Sequence, residues 1–322
     1  MGFNLFYMEA LQTVMVIVSA IALFVYGLQS FSKEIEHFGE EKLSKWIGYL
    51  TKWKLGSFAL GACVTGIIQS STFVSSLTVS LVNTGIITFR DSLLILLGTN
   101  VGTTATAWIV SFQSTLLGPF FIVLGTLVSM IPGKISVAGK SIFYFGFIFF
   151  ALALISDAMQ PIKDDPLLVD ILAKANSPLM GILYGIIITI IVQSSSVVVG
   201  LVIVLISQGT IDLSAAIPIV IGANIGTTST ALMISLRFAP LSRLVALSAS
   251  LFNIIGVLIV LPFFGVLEKF AISFSAVPAL QVAIAFTISN TVTSLFFYVF
   301  LSPTMTILKK HRWYKAAIVK QS

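Results

Sequence analysis

The stretch Gln69-Ser70-Ser71-Thr72, followed by Gly98-Thr99-Asn100-Val101-Gly102-Thr103-Thr104, decides the fold of this chain. It returns 124 positions later as Gln193-Ser194-Ser195-Ser196, followed by Gly222-Ala223-Asn224-Ile225-Gly226-Thr227-Thr228. Between residues 69–107 and 193–231 the offset never changes, and 16 of 39 positions are identical. A polar string that recurs at a constant offset predicts two related halves, each interrupted inside an otherwise apolar segment.

The composition indicates a membrane protein. The 322 residues are 57% hydrophobic and 9% charged, with a mean hydropathy of +1.06, whereas soluble domains average about 25% charged residues. Seven stretches contain no Asp, Glu, Lys or Arg, and most exceed the roughly 20 residues that span a bilayer. They are 10–32, 55–89, 92–133, 175–211, 213–236, 244–267 and 270–308. We therefore predict an all-α, multi-pass protein of the cell inner membrane.

The distribution of charge predicts that the two halves are inverted. Basic residues concentrate in residues 33–54, 134–140 and 237–243 and in the tail 309–322, whereas residues 157–174 carry four aspartates. Cytoplasmic loops are rich in Lys and Arg, so we expect the basic segments inside and the acidic loop outside. The segments that precede the two Gln-Ser-Ser motifs then lie on opposite sides, as in the inverted repeats of many transporters. The same rule predicts a cytoplasmic C-terminus and an outside N-terminus.

The predicted topology has about seven crossings and two re-entrant hairpins. Residues 1–133 form the first repeat and 134–268 the second, followed by a last membrane helix over 269–308 and a basic tail over 309–322. The hairpins cover about 55–84 and 175–208, each with its Gln-Ser-Ser motif at the tip. Residues 33–53 mix apolar and charged side chains at near-helical spacing, which predicts an amphipathic helix in the interface, with a soluble loop helix as the alternative.

The hairpin tips have the groups that bind an oxyanion. Glutamine amides and serine or threonine hydroxyls donate hydrogen bonds, and the helix that begins directly after each motif presents free N–H groups and a positive dipole end. Polar groups inside hydrocarbon are costly unless they have a partner or a function. The candidate anion-binding residues are Gln69, Ser70, Ser71, Thr72, Gln193, Ser194, Ser195 and Ser196.

The Gly-x-Asn-x-Gly-Thr-Thr strings have the groups that bind a cation. We expect their glycines to break the helix, exposing carbonyl oxygens of the kind that coordinate Na⁺ in transporters. The candidate cation-binding residues are Asn100, Thr103, Thr104, Asn224, Thr227 and Thr228. No predicted crossing has an ionisable residue near its centre, which disfavours proton coupling and favours Na⁺.

Other polar residues are expected to have structural roles. Hydroxyls in membrane helices often bond the carbonyl of residue i−4, and this is our expectation for Ser75, Ser76, Thr78, Ser80, Thr106 and Ser111. Asn253 and Asn290 lie in mid-segment, where a place on the transport pathway and a bond to a neighbouring helix both remain open. Cys63 lies in a Gly/Ala-rich apolar run and is predicted to be a small buried residue.

The paired motifs resemble the QSSS repeats of the type II sodium/phosphate cotransporter family. Each motif begins with a threonine, Thr65 or Thr189, and the likeness covers roughly residues 10–262, with Thr72 in place of a third serine. The resemblance implies Na⁺-driven uptake of inorganic phosphate at a site formed by both hairpins, with Thr65 and Thr189 added to the Na⁺ ligands. Many bacterial relatives in that family carry a PhoU-like C-terminal domain, and we expect this chain to depart from them as a bacterial-type member without it.

These observations favour a Na⁺:phosphate symporter that works by alternating access, and not an enzyme. The alternatives are a Na⁺-coupled carrier of sulfate or a carboxylate and a passive anion channel. An intramembrane serine hydrolase is disfavoured because His37 and His311 lie far from the polar tips. The expected partners are phosphate, Na⁺ as coupling ion and the lipid bilayer, with no organic cofactor and no nucleic acid; a homodimer is left open.

Overall fold

The computed structural model describes residues 2–50, 53–112, 114–308, 310 and 314, with side chains described for 11–36, 53–112, 114–306, 310 and 314. This part of the chain is helical and contains thirteen α-helices. They are α1 (Gly2–Leu50), α2 (Lys54–Ile68), α3 (Ser71–Asn83), α4 (Phe89–Ser111), α5 (Leu117–Ser129), α6 (Lys134–Met159), α7 (Pro166–Ala173), α8 (Pro178–Val192), α9 (Ser195–Ser207), α10 (Leu213–Ser235), α11 (Pro240–Val260), α12 (Phe264–Phe274) and α13 (Pro278–Leu308).

The elements around the two motifs match in length. Helices α2, α3 and α4 contain 15, 13 and 23 residues, and helices α8, α9 and α10 contain 15, 13 and 23. Both motifs lie at a turn between two helices that are each too short to span a bilayer alone. The predicted helix–turn–helix at each Gln-Ser-Ser is therefore present, while its depth in the bilayer stays a prediction.

Six described helical segments are long and apolar enough to cross a membrane. They are Leu11–Glu36, Phe89–Ser111, Lys134–Ile162, Leu213–Ser235, Pro240–Phe274 and Pro278–Thr306. A seventh is obtained if Pro166–Asn176 and Pro178–Val192, which meet at 111°, are counted as one span. The all-α polytopic fold class is confirmed. Helix α5 has 13 residues and reaches only about 20 Å, which is shorter than a membrane span.

Residues 33–50 are helical, but they continue α1, which runs without a break from Gly2 to Leu50. Their place in the interface stays a prediction. The side chains of residues 37–52, and most of the tail 309–322, lie outside the described residues. Cys63 is exposed on α2 and not buried, because it lies on the face of that helix opposite its contact with α4.

The helices that carry Gly-x-Asn-x-Gly-Thr-Thr are not broken, which corrects the sequence prediction. Helices α4 and α10 run without interruption through both strings. Their glycines allow close packing instead. A Cβ atom at Gly98 would collide with the carbonyl oxygen of Phe58 on α2, and one at Gly222 would collide with that of Ile182 on α8. Small residues that let backbones approach are typical of helix contacts in membranes.

The two halves interlock and do not form separate cores. Helix α2 packs on α4 and α8 packs on α10, but α3 also contacts α10 and α9 also contacts α4. One buried cluster joins Phe24 and Val110 to helices α9, α10 and α13, and the other joins Leu93–Leu96 to α11 and the end of α13. The helix that follows each Gln-Ser-Ser motif therefore packs against a helix of the other half.

Candidate functional site

Both hairpin turns have the same strained backbone. Gln69 and Gln193 adopt the left-handed conformation, with φ of 61° and 57°, and they are the only described residues other than glycine with positive φ. Each donates its backbone N–H to the carbonyl of the motif threonine, Gln69 to Thr65 at 2.8 Å and Gln193 to Thr189 at 2.7 Å. Glycine is the usual residue at this position of a helix end, so a glutamine here indicates that its side chain has a function.

The second residue of each motif caps the helix that follows. Ser70 Oγ accepts the N–H of Phe73 at 3.2 Å, and Ser194 Oγ accepts the N–H of Val197 at 3.4 Å. The first four N–H groups of a helix have no acceptor within the helix. The third N–H group of each helix, that of Phe73 or Val197, is bonded to the capping hydroxyl. The fourth, that of Val74 or Val198, is bonded to the backbone carbonyl of Ser70 or Ser194. At each turn the first two N–H groups, those of Ser71 and Thr72 and those of Ser195 and Ser196, have no acceptor among the described residues.

The glutamine of the first turn is held in a buried polar cluster. Gln69 is 7% exposed. Its Nε2 donates to the carbonyl of Gly66, and its Oε1 accepts a hydrogen bond of 2.8 Å from Thr106 Oγ1. The same hydroxyl lies 3.3 Å from Ser196 Oγ of the second motif. The sequence analysis expected the Thr106 hydroxyl to bond a backbone carbonyl of its own helix. That expectation is wrong, because this side chain connects the two motifs.

The glutamine of the second turn has a different environment. Gln193 is exposed, and its side chain makes no hydrogen bond in the described part of the chain. The residue equivalent to Thr106 is Thr230, whose buried hydroxyl oxygen has no hydrogen-bond partner in the part of the chain that the structure describes. The identity of Thr106 and Thr230 in the offset alignment was the available signal that this position matters.

The motif threonines are buried donors without acceptors. Thr65 and Thr189 are 1% and 0% exposed, and neither Oγ1 has a hydrogen-bond partner in the described structure. They pack against Gly102 and Gly226, where a Cβ atom would collide with them. A buried unsatisfied hydroxyl costs about 1–3 kcal/mol, and two at equivalent places indicate a shared role.

A polar cavity lies between the two halves. It encloses about 440 Å³ of space, including its open mouth, and is lined by residues of α3, α4, α10 and α11. Its polar lining consists of Ser71, Ser75, Thr99, Asn100, Thr103, Asn224, Thr227, Thr228 and Asn253. Six residues predicted from the sequence therefore meet here. The lining does not include Gln69, Ser70, Thr72, Gln193, Ser194, Ser195, Ser196, Thr65, Thr104 or Thr189.

The threonines and asparagines of the two Gly-x-Asn-x-Gly-Thr-Thr strings present oxygen acceptors to the cavity. Thr103, Thr227 and Thr228 donate their hydroxyl hydrogens to carbonyls of their own helices at 2.7–3.0 Å, so lone pairs remain free. Asn100 Nδ2 donates to Asn253 Oδ1 at 2.7 Å, and Asn224 Nδ2 donates to Asn290 Oδ1 at 2.8 Å. Neither Asn100 Oδ1 nor Asn224 Oδ1 accepts a hydrogen bond from the described residues. Asparagine and threonine oxygen atoms with free lone pairs can coordinate a cation in the cavity.

Asn253 and Asn290 are the functional candidates that sequence analysis left open. They are 9% and 3% exposed, on helices outside both motifs. An asparagine in the middle of an apolar membrane segment is the signal for them, since it needs a partner there. The polar groups that line the cavity are neutral, because they are serine and threonine hydroxyls and asparagine amides. Among the described residues no three His, Cys, Asp or Glu side chains cluster as a metal site.

A multi-pass helical protein whose two related halves meet at a central polar cavity belongs, by architecture, to the class of membrane transporters. Residues 23–157 and again 154–296 match the Na⁺/Pi-cotransporter family, and the chain belongs to that family. The double match covers both repeats and confirms the resemblance on which the sequence analysis relied.

Relatives of known sequence support this membership. The chain is 29% identical over 280 residues to the "Uncharacterized protein YqeW" of Bacillus subtilis, covering 86% of this chain and 91% of the relative. It is 30% identical over 260 residues to the "Putative inorganic phosphate export protein YjbB" of Escherichia coli, covering 80% of this chain and 48% of the relative. It thus spans about half of the latter.

A shorter match links the chain to an animal protein. It is 40% identical over 67 residues to the "Sodium-dependent phosphate transport protein 2A" of Ovis aries, which covers 21% of this chain and 10% of the relative. No solved structure is significantly similar to this chain.

Proposed function

We propose that this protein transports inorganic phosphate across the membrane in symport with Na⁺, by alternating access of its two repeats around the polar cavity. The observation that carries the proposal is that both Gly-x-Asn-x-Gly-Thr-Thr strings line one polar cavity, so that its lining residues come from both halves. Membership of the Na⁺/Pi-cotransporter family supports phosphate and Na⁺ as the substrates.

The cavity is the proposed cation site. Its asparagine carbonyls and threonine hydroxyls present oxygen atoms, the ligands that neutral transporter sites use for Na⁺. Asn100, Thr103, Asn224, Thr227 and Thr228 are the proposed ligands. The three threonine hydroxyls and one N–H of each asparagine amide are already donated to other groups. Thr104 is placed with them by its motif. Thr65 and Thr189 are proposed as additional Na⁺ ligands, because their buried hydroxyls have no hydrogen-bond partner among the described residues.

The two hairpin turns are the proposed phosphate site. Each provides two backbone N–H groups at a helix N-terminus, where the dipole favours an anion. The side chains of Gln69, Ser70, Ser71 and Thr72 and of Gln193, Ser194, Ser195 and Ser196 add amide and hydroxyl donors. Since no arginine or lysine side chain lines the cavity, the negative charge of phosphate has to be balanced by Na⁺, which couples the two substrates.

Transport into proteoliposomes tests this proposal. We expect radiolabelled phosphate to accumulate when a Na⁺ gradient is imposed and not when choline replaces Na⁺. Gln69→Ala and Gln193→Ala should each lower the initial rate by roughly tenfold or more, as expected for the loss of a hydrogen bond to a charged group. Ser273→Ala is a matched control, because this exposed hydroxyl bonds only to its own helix. Uptake without a Na⁺ gradient, or unchanged in both glutamine variants, contradicts the proposal.

Export is a second candidate, favoured by the name of the Escherichia coli relative. The same vesicles distinguish the two directions. Phosphate loaded inside should leave faster when Na⁺ is also loaded inside if the carrier is reversible, as a symporter is. Efflux that exceeds uptake under mirrored Na⁺ gradients identifies export as the preferred direction. Inhibition by arsenate but not by sulfate or a carboxylate identifies phosphate as the anion.

A further inference from the structure

Four asparagines on four helices form one directional chain of hydrogen bonds. Asn100 Nδ2 on α4 donates to Asn253 Oδ1 on α11 at 2.7 Å, and Asn253 Nδ2 donates to the backbone carbonyl of Asn224 on α10 at 2.9 Å. Asn224 Nδ2 donates to Asn290 Oδ1 on α13 at 2.8 Å, and Asn290 Nδ2 donates to the carbonyl of Phe286 at 2.9 Å. Every amide in the chain therefore donates in the same direction.

This chain of hydrogen bonds determines which end of the Asn100 and Asn224 side-chain amides faces the cavity. A primary amide has a donor end and an acceptor end, and rotation by half a turn exchanges them. Asn100 and Asn224, one from each repeat, have their donor ends held by Asn253 and Asn290. Their carbonyl oxygens are thereby left for the cavity. Without these partners, either amide could turn its N–H groups inward, where they would repel a cation.

Burial makes rotation of the Asn100 and Asn224 amides costly. Asn253 and Asn290 are almost fully buried, so their Oδ1 atoms need a donor, and among the described side chains only Asn100 and Asn224 supply one. A buried acceptor left without a donor costs about 1–3 kcal/mol. The partners outside the motifs thus resist rotation of the amides inside them.

We infer that Asn253 and Asn290 are positioning residues for Na⁺, which turn the carbonyl oxygens of Asn100 and Asn224 toward the ion. This inference rests on the proposed function, since it assumes that Na⁺ binds in the cavity. Asn253 has the larger role. It contacts both repeats, the side chain of Asn100 and the backbone of Asn224, and it also lines the cavity.

The experiment measures Na⁺ and phosphate dependence separately in proteoliposomes. Asn253→Leu removes the acceptor for Asn100 at similar volume, and it should raise the half-saturating Na⁺ concentration by roughly tenfold, the effect of one lost hydrogen bond. At saturating Na⁺ its half-saturating phosphate concentration should change by less than about twofold. Asn253→Asp keeps the acceptor and adds negative charge, so its half-saturating Na⁺ concentration should equal that of the unaltered protein or fall below it.

Ser250→Ala is the matched control, because this buried hydroxyl on the same helix bonds only to Ala246, and we expect its Na⁺ dependence to be unchanged. Asn290→Leu is the second variant if Asn253→Leu does not fold. Its Na⁺-induced rise in the midpoint of thermal unfolding in detergent should be smaller than that of the unaltered protein.

Two results overturn the inference while the proposed function stands. One is an unchanged half-saturating Na⁺ concentration in both leucine variants. The other is an equal rise for Na⁺ and phosphate, together with no rescue by Asn253→Asp, which would indicate a general packing defect. If the unaltered protein itself shows no Na⁺ dependence, the proposed function fails and the inference fails with it.

Discussion

The two hairpin turns have nearly the same sequence and the same backbone, but their glutamines lie in different surroundings. Gln69 is buried and hydrogen-bonded to Gly66 and Thr106, and Ser32 on α1 further fixes this turn by donating to the carbonyl of Ile68 at 2.8 Å. Gln193 is exposed, and its side chain makes no hydrogen bond to a described residue. Equal repeats in unequal environments are what an asymmetric state of an inverted-repeat protein requires.

The comparison extends to the contact between the halves. Thr106 of the first half reaches Ser196 of the second, whereas the equivalent pair, Thr230 and Thr72, makes no such contact. If alternating access exchanges the roles of the repeats, the opposite state should bury Gln193 against Thr230 and release Gln69 from Thr106. Features that are the same in both halves, such as the close helix packing at Gly98 and Gly222, then form the scaffold that does not change between the two states.

The largest expected effect concerns this scaffold. Gly98→Leu and Gly222→Leu should each destabilise the protein by at least about 3 kcal/mol, because the new side chain collides with a backbone carbonyl of the adjacent helix. The two variants should be equally affected. The measurement is the midpoint of thermal unfolding in detergent. Gly265→Leu is the control, since space around this residue is open. A tolerated leucine at position 98 or 222 would show that the close approach is dispensable.

The next effect should differ between the halves. Thr106→Val removes the hydroxyl donor of the buried Gln69 Oε1 and should cost about 1–3 kcal/mol of stability. Thr230→Val removes a buried hydroxyl that has no partner, so the same measurement should show no loss. Equal losses in both variants would contradict the described asymmetry.

A chemical probe should report the same difference in accessibility. In a Cys63→Ser background, which removes the exposed native thiol, Gln193→Cys should react with N-ethylmaleimide roughly tenfold faster than Gln69→Cys. A saturating mixture of Na⁺ and phosphate should bring the two rates closer together if the repeats exchange roles during transport. Equal rates without substrate would show that the two turns share one environment.

The sequence alone predicted the class, the repeat and the position of both turns. It could do so because charge-free segments and a constant offset are properties of the chain itself. It did not predict that α4 and α10 are unbroken, because a glycine that breaks a helix and a glycine that admits a neighbouring helix look alike without that neighbour. Gly98 and Gly222 are of the second kind.

The candidate site was predicted in part for a similar reason. Six of the predicted residues line the cavity. They could be predicted because a polar motif that occurs twice at a constant offset is visible in the sequence. Thr106 was assigned to packing because its partners, Gln69 and Ser196, are 37 and 90 positions away. Asn253 belongs to no motif, and its importance depends on a partner 153 positions away. Contacts of that kind are set by how the helices pack, which a single sequence does not state.

The smallest effect separates backbone strain from the side-chain contacts of the glutamines. A residue other than glycine in the left-handed conformation costs about 1 kcal/mol, and glycine removes that cost. Gln193→Gly should therefore stabilise the protein by about 1 kcal/mol, because its exposed amide makes no bond that would be lost. Gln69→Gly relieves the same strain but leaves Thr106 without its acceptor, so its net effect should be near zero or destabilising.

Alanine at the same two positions completes the comparison, because it removes the amide and keeps the strain. The difference between the glycine and alanine variants should be about the same at both turns, since φ is 61° at one and 57° at the other. The difference between the two alanine variants should equal the contribution of the contacts of Gln69. Unfolding midpoints of the four variants, measured with and without Na⁺ and phosphate, give both quantities. If Gln193→Ala destabilised the protein as much as Gln69→Ala, the second amide would have a buried partner, and the inequality of the two turns would be wrong.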